Sequence, residues 1–433
     1  MRLSMSLLAL ALANAVAATT TLPPDAGYGA NPTLPEPQQK LVPTMKIAPA
    51  KPWSGDEKPQ AAQGLTVNAF AKDLAHPRTL LVLPNGDVLV AETDTPSKPE
   101  DNKGIKGKIT KHEQYKAGSG HGSANRITLL RDADGDGVAE QKTVLVDDLN
   151  SPYGMALVGD TLYIANTDAL VRVPYHNGET TISATPQKVA DLPGGPINHH
   201  WTKSLVASKD GKHLYVGVGS NSNAGENGID KETHRADILE IDPATGKSRV
   251  YASGLRNPAG LALTENGQLW AAVNERDELG DDLVPDYMTS VHDGDFFGFP
   301  YSYYGAHLDP RVKPQNGQLV ASARKPDYAL GAHTASLGIV LTRDNALSPR
   351  FHDGAFIGQH GSWNRSQPSG YRVVFVKFEQ GKPSGEPIDV LTGFRDADGN
   401  ARGRPVGVAI DKRGDLLVAD DVGGRVWRVT AAK

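Results

Sequence analysis

A turn, an apolar strand, a second turn and a second apolar strand recur along this chain, and the repeat limits the fold more than any other feature. Its clearest copy is Gly254-Leu255-Arg256-Asn257-Pro258-Ala259-Gly260-Leu261-Ala262-Leu263, then Asn266-Gly267 and Leu269-Trp270-Ala271-Ala272. Asn-Pro argues against a helix, because proline drives the residue before it into extended backbone. Gly260 inside a strand pattern marks close backbone approach. Earlier copies lead in with Leu74-Ala75-His76-Pro77, Leu149-Asn150-Ser151-Pro152-Tyr153 and Asn198-His199-His200. A weaker one covers Ser336–Leu341, and the last begins Arg404-Pro405-Val406. With 46 glycines, 30 prolines and 39% hydrophobic residues in 433, the chain suits many short strands and tight turns.

Six copies, spaced by roughly 50 to 85 residues, predict an all-β chain folded as a six-bladed β-propeller. A sandwich and a right-handed β-helix are the alternatives. Long, varied insertions argue against the helix, whose rungs must stay short. A propeller gathers the leading turns of all blades around one mouth. There it would place His200, Arg256, Asn257, His333, Thr334, Arg402 and Arg404. Arginine forks suit carboxylates, so such a mouth suits an anionic ligand. His200 is the natural general base. On a strand, His199 would point the other way, and only one of the pair would reach the site.

Composition narrows the partners. A formal net charge of -5 with mixed signs speaks against a nucleic-acid or membrane-surface footprint. No cysteine is present, which excludes disulfides, thiolate nucleophiles and iron–sulfur clusters. Residues 1–18 read as a secretory signal peptide, with the apolar run Leu3–Ala13 too short for a membrane span. The mature chain is therefore expected to be periplasmic or secreted, without a transmembrane segment. Residues 19–63 form a Pro/Thr/Ala-rich linker or arm, and 64–433 the propeller.

Two loops have cation chemistry. Asn274-Glu275-Arg276-Asp277 with Gly280-Asp281-Asp282 is either a calcium loop or a solvated acidic one. Asp132-x-Asp134-Gly-Asp136-Gly resembles a calcium loop, but Thr143 stands where an EF-hand needs glutamate. It reads as a hairpin turn or as a second, distal calcium site. Trp363, in Gln359-His360-Gly361-Ser362-Trp363-Asn364-Arg365, would either stack a planar cofactor or pack in the core.

As an ordered set these stretches resemble the soluble sugar dehydrogenases that depend on pyrroloquinoline quinone (PQQ), in the sorbosone and aldose sugar dehydrogenase branch. The resemblance implies PQQ on the propeller axis, His200 as base and Arg256 near the reactive quinone carbonyls. It implies cofactor contacts from Asn257, Trp363, Arg402, Arg404 and Asp420. Arg365 stands as replacement for the family's fifth-blade lysine. Backbone carbonyls of Glu275 and Arg276 would hold calcium, where better-known members carry Gly-Pro. The implied activity is oxidation of an aldose or sorbosone-like aldehyde, with electrons leaving to a quinone or cytochrome. A calcium-dependent lactonase or a non-catalytic sugar- or protein-binding propeller are the rivals, since fold alone does not fix function.

Overall fold

The computed structural model describes residues 22, 26–40, 43–101 and 103–432, so residues 1–18, expected to be a signal peptide, lie outside the described residues. Six antiparallel sheets of four or five strands form the blades of a β-propeller. Blade 1 is Pro77–Val82, Val88–Glu92, Arg126–Arg131 and Gln141–Val146; blade 2 runs from Gly154 to Asp191 and blade 3 from Lys203 to Ser253. Blade 4 starts at Gly260 and ends with Tyr328–Ala332, and blade 5 runs from Ser336 to Thr392. Blade 6 takes Pro405–Ile410, Leu416–Asp420 and Arg425–Ala431, and its fourth strand is the early segment Leu65–Ala71. Pairing of Val67 with Val429 and of Leu65 with Ala431 thus closes the ring.

Position within a blade decides the sequence pattern. Second strands such as Val88–Glu92 and Leu416–Asp420 are buried at every residue, because neighbouring blades cover both faces. Outer strands such as Gln187–Asp191 are half-exposed or exposed throughout. Apolar clusters fill the wedges between blades: Phe70, Val88, Val90, Leu417 and Val426 join blades 6 and 1. Trp270, Met288, Ile357 and Val374 join blades 4 and 5.

First strands contact one another in a closed circle around the axis. Glycine permits this approach: a Cβ on Gly338 would stand 2.1 Å from the Val406 carbonyl oxygen, and one on Gly407 2.6 Å from that of Arg78. On the other face, Asn266-Gly267 and Arg413-Gly414 turn the hairpins, with Gly267 and Gly414 at φ 85°.

Residues 26–40 and 43–63 run as an extended arm against the propeller. Tyr28–Gly29 adds a fifth strand to blade 4, and Gln60–Ala61 adds one to blade 5. Between them Ala50 bridges Ala401, and Trp53 packs edge-on against Phe394 and Trp427.

Candidate active site

Every blade begins its first strand and ends its second on the same side of the ring. The leading turns and the loops from second to third strands therefore surround one cavity of about 660 Å³. Blade 1 contributes His76 and Arg78, blade 3 His199 and His200, and blade 4 Arg256. Blade 5 contributes His360 and Trp363, and blade 6 Arg404 and Asp421. The blade 1 loop, which carries the helix Gly104–Lys116, walls the cavity through Lys98, Glu113 and Gln114.

His200 Nδ1 lies 2.8 Å from the Ser220 carbonyl oxygen and 3.1 Å from Ser220 Oγ. Ser220 Oγ donates its own proton to the Ser222 carbonyl. Both Ser220 atoms then accept, so Nδ1 carries the ring proton and Nε2 the lone pair. Burial first, then the charges of Arg256 and His199, pushes the His200 pKa well below the ordinary histidine value. A neutral imidazole with a free Nε2 is a general base.

Arg256 is fixed by backbone. It donates to the Asn223 and Asn274 carbonyls and, at 2.5 Å, to that of Glu275. Asp277 faces it at 3.6 Å and holds His333 at 3.0 Å. Burial raises the Asp277 carboxyl, but His333 and Arg256 outweigh it and hold it below the usual range.

On the opposite wall, Asp421 accepts from Arg78 at 2.5 Å and His360 at 2.8 Å, with His76 at 3.8 Å. Burial raises its carboxyl, yet these cationic and donor groups hold it well below its ordinary value. Burial also takes His360 down to about 4. Arg404 differs from Arg78 in its partners. Its guanidinium meets the Ala48 and His360 carbonyls and lies 4.8 Å over the Tyr371 ring. Its Nε is buried and has no hydrogen-bond partner among the described residues. This is a buried cation held by neutral groups at a cavity wall, the setting that favours an anion.

The structure redistributes several expected contacts. Arg402 does not reach the cavity: it pairs with Glu57 and lies over Trp53, because the arm supplies a carboxylate on the other side of the turn. Asp420 is also behind the wall. Its carboxylate is used by Trp53, Trp427 and the backbone N–H groups of Arg404 and Gly423, and burial raises it to about 6. Arg365 is turned away to Asp282 and the Asp281 carbonyl. Asn257 is buried against Gly219, under the His200 turn. Both His199 and His200 line the cavity, since this stretch is a bend with Asn198 at φ 38° and not a strand.

Of the two expected calcium carbonyls, that of Glu275 is otherwise engaged. The Glu275 carbonyl faces the Arg256 guanidinium, and the fully buried Arg276 is tied to Glu275, Asp309 and the Pro300 and Ser302 carbonyls. A guanidinium where a hard cation would need oxygens does not fit calcium. The Asp132, Asp134, Asp136 and Glu140 oxygens lie within 4.8 Å of one another. They sit on the far face, where backbone N–H groups bond all four and Arg413 also bonds Asp132.

A family model described as a domain of unknown function, DUF7133, matches residues 60–362. The chain belongs to the DUF7133 family. A second model, described as TrAA12-like, matches residues 305–432 of this DUF7133 protein. An uncharacterized protein of Borreliella burgdorferi is 29% identical over 298 residues, 65% of this chain and 76% of that protein. A PQQ-dependent pyranose dehydrogenase of Coprinopsis cinerea is 25% identical over 358 residues, 68% of this chain. The DUF7133 chain spans about half the length of that dehydrogenase, 48%.

Among solved structures, the holo form of the PQQ domain of that Coprinopsis enzyme superposes with a TM-score of 0.68 at 20% identity, covering 89% of this chain and all of that one (100%). The PQQ-bound aldose sugar dehydrogenase of Streptomyces coelicolor gives 0.55 at 17%, covering 87% and 100%. The DUF7133 chain thus shares the six-bladed propeller fold of these two PQQ-dependent sugar dehydrogenases.

Sequence reasoning assigned no role to Arg78, His360 or Asp421, and it placed a linker or arm at 19–63 without docking it on the propeller. His76-Pro77-Arg78 stands at the first leading turn, as Arg256-Asn257-Pro258 does at the fourth, so that signal was legible. No sequence signal marked where the arm docks, because an extended segment bonded through its backbone carries no periodicity.

Proposed function

We propose that this protein is a PQQ-dependent dehydrogenase that oxidises an aldose or a related sugar aldehyde. The observation that carries the reading is His200, neutral and with Nε2 free, in one cavity with Arg404, a buried cation bonded only to neutral groups. The residues fit the cofactor. PQQ is a flat tricarboxylate; Arg404 offers a fork to a carboxylate and Trp363 an aromatic wall. When bound, PQQ would supply the two-electron oxidant, which the protein's own side chains lack.

His200 Nε2 takes the proton of the sugar hydroxyl, and Ser220 steadies the resulting imidazolium through Nδ1–H. Arg256, held rigid by three carbonyls, keeps positive charge beside the reacting groups. No step is derived through calcium. Electrons leave to an external acceptor, a quinone or cytochrome. The N-terminal leader supports export to the periplasm; no described helix is long and apolar enough to cross a membrane.

The test is dye-linked reduction by purified apo-protein across a panel of aldoses and sorbosone, with and without PQQ and Ca²⁺. Turnover that needs PQQ and vanishes in His200→Ala supports the reading. PQQ failing to bind overturns it and favours the hydrolase or the sugar-binding propeller.

A further inference from the structure

We propose that the arm segment at residues 43–50 is a wall of the cofactor site, and that Met45 and Ile47 contact the flat ring system of PQQ. The inference rests on the function proposed above.

Alternate residues of this segment bond to blades 5 and 6. The Thr44 carbonyl accepts from Asn364 Nδ2 at 2.5 Å, and Lys46 N–H donates to the Trp363 carbonyl at 2.8 Å. The Ala48 carbonyl accepts from Arg404 Nη2 at 3.2 Å. Ala50 N–H donates to the Lys116 carbonyl at 2.9 Å, tying the arm to the helix on the cavity's other flank. The segment is therefore pinned on both sides of Met45 and Ile47.

Side chains alternate along an extended chain. Lys46 points away, its Nζ 3.0 Å from the Ser366 carbonyl, while Met45 and Ile47 line the cavity. Met45 is 38% exposed, an apolar side chain lining the same cavity as Trp363 and Arg404. A ligand anchored on Arg404 by a carboxylate lies next to both residues. An aromatic ring gains from apolar and thioether contact, whereas a polyol does not. The ring of the cofactor, not the sugar, is the partner this surface suits.

The experiment is PQQ binding by purified apo-protein, read by equilibrium dialysis and tryptophan quenching, without turnover. The variants are Met45→Ser, Met45→Ala/Ile47→Ala and the conservative Met45→Leu/Ile47→Val. Loss of two apolar contacts predicts about tenfold weaker binding in the double alanine variant, with wild-type affinity in the conservative one. Thermal melts identify any variant that fails to fold, and Met45→Ser, changed at a partly exposed position, then decides. Unchanged PQQ affinity in folded Met45→Ser or in the folded double alanine variant overturns the inference, even if the KM for sugar rises. Wild-type protein that binds no PQQ overturns the proposed function itself, a result separable from the first.

Discussion

The Nδ1 of His200 lies 2.8 Å from the carbonyl oxygen of Ser220, a backbone group that can only accept. A carbonyl cannot be titrated, so this support for the base keeps its form at any working pH. Only the imidazole itself changes state.

Activity should therefore persist well below pH 6.5. The neutral ring is the active form, and a depressed pKa moves its protonation, and the acid limb of kcat/KM, downwards. His199→Gln removes one charge that depresses it and should move that limb upwards. His200→Asn should lower kcat by about 10²- to 10⁴-fold while leaving PQQ affinity intact. A pH–rate profile and a dialysis measurement check both.

Arg404 and Arg402 should separate cleanly. Arg404→Ala removes a charged donor at the cavity, about 1.5–3 kcal/mol, or roughly 10- to 100-fold in PQQ affinity. Arg402→Ala breaks a pair whose glutamate side chain is 49% exposed, and should cost about 0–1 kcal/mol of stability without changing affinity. Titration with PQQ and a denaturant melt distinguish them.

Asp421→Asn leaves Arg78 buried beside an uncharged amide. Breaking a buried pair from one side costs about 3–5 kcal/mol, so urea unfolding should show a large loss of stability.

His360 gives a pH dependence with a definite sign. Its folded pKa, about 4, lies below the ordinary 6.5, so the unfolded chain binds the proton more readily. Its share of stability is complete above pH 6.5 and is lost as pH falls towards 4. Asp420 and Asp286, raised by burial to about 6, act in the opposite sense: they oppose folding above pH 6 and relax below it. His360→Gln should therefore lose less stability than wild type between pH 7 and pH 4.5, measured as melting temperature.

Gly407→Ala should strain the ring of first strands, since its Cβ meets the Arg78 carbonyl at 2.6 Å. Overpacking of this kind costs about 1–3 kcal/mol. The same backbone positions Arg78, so calorimetry should record the lower melting temperature together with weaker PQQ binding.

What the sequence determined by itself is the repeat and the chemistry at its leading turns. Strands buried on both faces must be apolar, and turns that reverse tightly need glycine, so blades and their order are written locally. His200, Arg256, Trp363 and Arg404 were legible because repeat position alone brings them to one cavity. Tertiary structure decided which neighbours face it. Arg402 and Arg404 are two residues apart and of one type, yet Glu57 of the arm claims the first and leaves the second to the cavity. Asp420 and Asp421 part in the same way, one used by Trp53 and Trp427 and the other by Arg78 and His360. In each pair a partner hundreds of residues away makes the choice, and local pattern does not encode such contacts.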